Sequence, residues 1–157
     1  MEILFTNSGD GASVLTCKRN DGSVTWKRTD PFFIYHDLCH YAVETVLPLK
    51  NAFYGMVGSG TDISEFDLPK EQRAVIITDE AVFAEHLVNL FVTDHVQGRI
   101  EDMQKMIISI CGKNGGAVFL PLLTTEKTEE VRNKYNELVR QWKSVPEKKS
   151  LQLFYES

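Results

Sequence analysis

Hydrophobic and polar positions alternate at both ends of the chain and recur at helical spacing in between. Ile3 and Phe5 alternate with Leu4 and Thr6, the two-residue period of a strand. The turn cluster Asn7-Ser8-Gly9-Asp10-Gly11 separates that strand from a second over 12–19. Asn20-Asp21-Gly22 then predicts a tight hairpin, because Asp-Gly tolerates the positive φ angles of a type I′ turn. A third strand follows over 23–28, with Val24 and Trp26 on one face. The chain thus opens with an antiparallel meander that has one polar and one apolar face. Near the other end Leu151, Leu153 and Tyr155 alternate with Gln152 and Glu156. A closing strand must pair its backbone groups, and the meander is the partner available.

Between the strands the period changes. At ~100° per residue Leu38, Cys39, Ala42, Val43, Val46 and Leu47 cover one arc of a helix, which Pro48 ends. Its start has two readings. Either Asp30 caps it with Pro31 in the first turn, or Phe32-Phe33-Ile34 stay extended and the helix begins near Tyr35. Three bulky apolar residues in a row favour the second. Residues 51–72, with Gly55, Gly58, Gly60 and the acidic Asp62, Glu65 and Asp67, read as a flexible connection. Gly58-Ser59-Gly60-Thr61 lacks the Gly-Lys-Ser/Thr ending of a phosphate loop. Val75-Ile76-Ile77 reads as a short strand or a lead into the next helix.

That helical pattern starts at Asp79 and Glu80, which suit the positive end of a helix dipole, and runs to about Gly112 with a break or bend at Gly98. Its first half is apolar almost all round, from Val82 to Val92, as in a helix buried on several sides. Its second half carries Ile100, Met103, Ile107 and Ile110 on one face. Lys113-Asn114-Gly115-Gly116 reads as a loop, and 117–121 supports no firm assignment. Thr125 is the expected cap of a last helix in which Val131, Tyr135, Leu138 and Trp142 recur amphipathically and Glu130 pairs with Lys134. The expected fold class is α+β: one domain over 1–157, with the three-strand meander and the C-terminal strand in an antiparallel sheet packed against three or four helices.

Composition adds limits. A chain of 157 residues with 43% hydrophobic and 25% charged residues can bury a core without staples. The net charge of -5 disfavours nucleic acid as a partner. Lys18-Arg19 and Lys27-Arg28 read as solvated strand ends. No apolar run approaches the ~20 residues of a membrane helix, so no membrane partner is expected. Met1 to Asn7 lacks the basic region and apolar core of a signal peptide. Cys17, Cys39 and Cys111 form no zinc-ribbon pattern, and a reduced, cytoplasmic compartment is expected.

The candidate chemistry lies on the first helix. His36 and His40 stand one turn apart, with Cβ atoms ~5–6 Å from each other, the spacing by which a helix offers two imidazoles to one zinc. His36-Asp37-Leu38-Cys39-His40 is the H-E-x-x-H pattern with Asp for Glu. His36 and His40 are therefore the expected metal ligands, with zinc as the expected cofactor. Asp37 and Glu44 are the candidate catalytic carboxylates, each a base or a supporting group. Glu44 lies ~12 Å from His36 along the axis, too far to share its ion, but within reach of the imidazole of His40. A third ligand must come from elsewhere. Glu85, His86, Asp94 and His95 qualify by residue type alone. Cys39 falls on the apolar arc and reads as an inert core thiol.

The pattern His36-Asp37-Leu38-x-His40-Tyr41-x-Val43-Glu44, followed by Phe53-Tyr54-Gly55 and a late helix with Trp142 before a closing strand, resembles a family of small bacterial proteins of unassigned function. The resemblance covers most of the chain. It implies a shared architecture and marks the four helix residues, but it carries no activity, substrate or cofactor. The doublet is also similar to that of the HD-type phosphohydrolases, which need a further histidine upstream, and none precedes His36. Zinc proteins of ubiquinone biosynthesis carry H-D-x-x-H with a later Glu, where this chain has Ala52. Two functional classes follow. One is a metal or small polar site on the helix border. The other is a non-enzymatic interaction module, with a protein partner or a second copy, in which the stripe only orients the helix.

Overall fold

A computed structural model describes residues 1–111 and 116–156. The alternating segments form strands β1 (Glu2–Asn7), β2 (Ser13–Lys18), β3 (Val24–Thr29) and β4 (Ser150–Phe154). They make one antiparallel sheet in the order β3-β2-β1-β4, the expected α+β arrangement. The two ends of the chain meet: the Met1 amine donates to the Tyr155 carbonyl at 2.8 Å, and the Tyr155 N–H returns to the Met1 carbonyl at 2.9 Å.

Ile3, Phe5, Leu15 and Cys17 are fully buried on the inner face. β3 runs against that pattern. Val24 and Trp26 share a face, as expected, but it is the solvent face, with Trp26 63% exposed. Thr25, Lys27 and Thr29 point inward instead. Thr25 is held there by donating to Asp62 at 2.9 Å and accepting from the Ile63 N–H at 3.1 Å.

Among the described residues five α-helices accompany the sheet. α1 spans Phe33–Val46 and packs against both α3 (Asp79–Gln97) and α5 (Thr125–Lys143). The extended reading of Phe32-Phe33-Ile34 does not hold. Asp30 Oδ1 accepts the N–H groups of Phe32 at 2.7 Å and Phe33 at 3.1 Å. This starts the helix and leaves Phe32 and Phe33 in solvent, with only Ile34 buried.

The connection over 51–72 is not a loose one. It contains α2 (Phe53–Gly58) and two 3-10 turns, Ile63–Asp67 and Lys70–Gln72. Every residue from Ala52 to Val57 is buried. Gly55 marks close packing: a Cβ there would lie 1.9 Å from the Lys50 carbonyl oxygen. Arg19, expected in solvent, donates to the carbonyls of Val57 at 2.6 Å and Thr61 at 2.8 Å.

Val75-Ile76-Ile77 forms neither strand nor helix. Thr78 caps α3 by accepting from the Ala81 N–H at 2.9 Å. Gly98, at φ 111°, ends α3, and α4 follows over Met103–Cys111. The expected stop at Gly112 and residues 113–115 of the expected 113–116 loop lie outside the described residues, while Gly116 begins a 3-10 helix, Gly116–Leu122. Thr124, not Thr125, caps α5, by accepting from the Lys127 N–H at 3.1 Å. Glu130 pairs with Lys127 at 2.6 Å, while the Lys134 ammonium lies 5.7 Å from the centre of the Tyr41 ring. Val131, Tyr135, Leu138 and Trp142 are buried along one face of α5. No helix among the described residues is long and apolar enough to cross a membrane.

Candidate metal and acid-base site

On α1 the rings of His36 and His40 come together, with centroids 4.9 Å apart. Glu85, 49 residues after His36, reaches both from α3. Its Oε1 lies 3.2 Å from His36 Nε2 and its Oε2 lies 3.0 Å from His40 Nε2. One ligand atom from each of the three residues falls within 4.8 Å of the other two. Two imidazoles and one carboxylate are a donor set suited to zinc.

Glu44 stands behind His40. Its Oε1 lies 3.0 Å from His40 Nδ1, and its Oε2 accepts the Tyr54 N–H at 2.8 Å. Both carboxylate oxygens are thereby engaged away from His36. The bond fixes the ring: Nδ1 donates to Glu44, so Nε2 faces Glu85. A neutral imidazole would then turn a lone pair toward a carboxylate oxygen. A cation between them, either a proton or a metal ion, removes that repulsion.

The electrostatics follow from this geometry. Burial disfavours charge on His40, but the hydrogen bonds with Glu44 and Glu85 outweigh it and hold its pKa up at about 9. Burial alone would raise the carboxyl of Glu85; the two histidines overcome it and keep that group well below the usual carboxylate range. Burial pushes Glu44 upward against the pull of His40.

Asp37 is 3% exposed, and its Oδ2 has no hydrogen-bond partner among the described residues. Burial pushes its carboxyl upward, with Lys27 the largest opposing charge. Its backbone carbonyl accepts the Tyr54 hydroxyl at 2.9 Å. Tyr54 therefore ties α2 to both carboxylate-bearing positions of α1.

A cavity of about 550 Å³ opens over His36, Asp37, His40 and Glu85. Its apolar walls include Phe32, Phe33, Phe53 and Phe66, and Lys27 and Arg73 line it as well. Three of the four residues expected on the helix stripe thus meet in one cavity, and Glu44 supports it from behind. Of the four candidates for a third ligand, Glu85 is in the cluster and His86 lines the same cavity. His95 is bonded to Asn136 at 2.7 Å, and Asp94 is bidentate with Arg132 at 2.7 and 2.9 Å, so both are spent elsewhere. Lys27 and Arg73 were not foreseen. Lys27, expected as a solvated strand end, faces inward because β3 turns Val24 and Trp26 to solvent.

Comparison of the chain with family models, curated proteins and solved structures found no match.

Proposed function

We propose that this chain is a metal-binding protein with a small-molecule cavity over the metal, and that zinc is the ion held by His36, His40 and Glu85. The observation that carries the reading is the bridging position of Glu85 between two Nε2 atoms. Glu44 supplies the supporting carboxylate that orients a ligand imidazole, a contact whose loss typically costs 10–100-fold in metal affinity. Three protein ligands facing a cavity match the pattern of a reactive site, because structural zinc is closed by four.

Zinc bound there would act as a Lewis acid on a ligand in the cavity. Asp37 is the proton-handling group of the reading, since it lines the same cavity with an unpartnered Oδ2. A carboxyl whose pKa is raised by burial can hold a proton nearer neutral pH. Phe53, with its ring centre 5.2 Å from that of His40, keeps water from one side of the imidazole.

Elemental analysis after dialysis, combined with thermal melts with and without chelator, tests the reading. The expected result is one zinc per chain, a chelator-sensitive melt, and loss of zinc in His40→Ala and Glu85→Gln. Zinc at 100 times its Kd stabilises by about 2.7 kcal/mol, or roughly 5–10 °C for a chain of this size. If the protein carries no metal and its melt ignores added zinc, His40 is instead a protonated pin between two carboxylates, and the interaction-module class gains.

A further inference from the structure

We propose that the cavity over His36, His40 and Glu85 takes a small organic anion with an aromatic or branched apolar body, its acidic head held by Lys27 and Arg73. The observation is a cavity that holds two cations, Lys27 and Arg73, and four phenylalanine rings over the His36, His40 and Glu85 floor, with Asp37 and Asp67 as its other carboxylates. Lys27 comes from β3, with its ammonium 3.7 Å from Asp67 Oδ1 and 5.9 Å from the centre of the Phe53 ring. Asp67 is 64% exposed in its side chain, so this pairing is loose and screened by solvent. Arg73 donates to the backbone carbonyls of Leu68 at 2.8 Å and Phe66 at 3.4 Å. No carboxylate pairs with it among the described residues. Those two carbonyls flank Asp67, so both cations sit at the same turn, Ile63–Asp67 and the residue after it.

The apolar part of the cavity is unusual in its rim. Phe32 and Phe33 are 59% and 50% exposed where α1 begins, and Phe66 packs edge-on against Phe53 at 4.7 Å. Exposed aromatic residues grouped at the mouth of a cavity mark a contact surface rather than ordinary scatter. The volume falls in the range of small-ligand sites, ~300–1,000 Å³, which pair apolar walls with a few placed polar groups. Lys27 and Arg73 favour an anionic head over a cationic one, because the Asp67 side chain is largely exposed and Glu85 is engaged by His36 and His40. A bare inorganic anion would leave the aromatic walls unused.

The inference rests on the metal reading only for the charge of the floor, which a divalent ion makes positive. The cations and rings stand without it. Carboxylate and phosphate heads share the chemistry that Lys27 and Arg73 recognise, so both belong in the test.

Calorimetric titration of zinc-loaded and metal-free protein with phenylacetate, phenyl phosphate, acetate and 2-phenylethylamine decides it. One of the two aromatic anions should bind at a single site, at least tenfold tighter than acetate or the amine. The tighter of the two assigns the head group. Lys27→Met and Arg73→Gln should each weaken that anion at least tenfold with zinc content unchanged. Should Lys27→Met fail to fold, Arg73→Gln decides alone. The inference is overturned if neither aromatic anion binds either form, if the amine binds as tightly, or if the variants bind like wild type. Zinc content measured on the same samples separates the two readings. Anion binding without zinc sustains this inference and removes the metal; zinc without anion binding does the reverse.

Discussion

Glu44 lies one helical turn beyond His40, and its Oε1 accepts the Nδ1 proton of His40 at 3.0 Å with both side chains buried. The same carboxylate accepts the backbone N–H of Tyr54. One buried acid therefore orients the imidazole and anchors the start of α2. Glu44→Gln keeps an oxygen for only one of these donors and turns an amide NH₂ toward the other. The expected cost is about 1–3 kcal/mol of stability for a buried donor left unsatisfied. Zinc affinity should also fall, by roughly 10–100-fold. A thermal melt of the metal-free variant and a zinc titration measure the two effects separately. An unchanged melt would mean that Glu44 is not the anchor described.

The charge on His40 sets a pH dependence of the metal-free protein. The folded pKa, about 9, lies above the ordinary value of 6.5. Stability from this group is thus fully present below pH 6.5 and is lost as pH rises through 9. The lost contribution is about 3 kcal/mol. Glu85 works at the other end: its lowered pKa adds stability above the usual carboxylate range that disappears as the pH falls below it. Denaturant melts from pH 6 to 10 should show the first decline, and His40→Gln should flatten it. Zinc-loaded protein should behave differently. Protons compete with the ion for the imidazole of His40, so its extra stability should be fullest above about pH 9 and shrink as the pH falls below that value.

What could be read from the chain in advance depended on distance along it. The strand alternation and the face of Val131, Tyr135, Leu138 and Trp142 are local patterns, and both reappear in the fold. The His36–His40–Glu44 stripe was legible for the same reason, since helical spacing alone aligns it. Glu85 was not, because 49 residues separate it from His36 and only the packing of α3 on α1 joins them. α2 was obscured by glycine. Gly55 and Gly58 look like a flexible joint in sequence, yet Gly55 is where the backbone of Lys50 presses against the helix. Lys27 was hidden in a pair of basic residues whose neighbour, Arg28, does lie in solvent and pairs with Asp10.

Gly55→Ala tests that account of α2. The added Cβ would stand 1.9 Å from the Lys50 carbonyl oxygen and 2.5 Å from its carbon. These are backbone atoms, so no side chain can swing aside. The expected destabilisation is about 4 kcal/mol or more, in the range reserved for severe steric conflict. The melt should drop by roughly 8 °C or more, and His40 should lose its fixed orientation because Tyr54 moves. If residues 51–72 were instead a loose connection, alanine would cost no more than a surface substitution.

Asp37 offers the sharpest separation between stability and activity. Its carboxyl is buried, Oδ2 finds no partner among the described residues, and burial raises its pKa. An ionised carboxylate in that position is disfavoured in the fold relative to the unfolded chain. The folded protein therefore loses stability as pH rises from the ordinary aspartate value through the raised one. Asp37→Asn removes the charge at nearly constant volume and leaves a neutral amide to desolvate. Metal-free Asp37→Asn should thus melt a few degrees higher than wild type at pH 8, with the difference vanishing near pH 4. A gain in stability on removing a group is the signature expected of functional residues, and any proton-transfer activity of the cavity should fall by about 10²-fold or more. Paired melts at the two pH values check the first part without knowledge of a substrate. If Asp37→Asn is destabilised equally at both, the carboxylate has a structural partner, and its role in proton handling is lost.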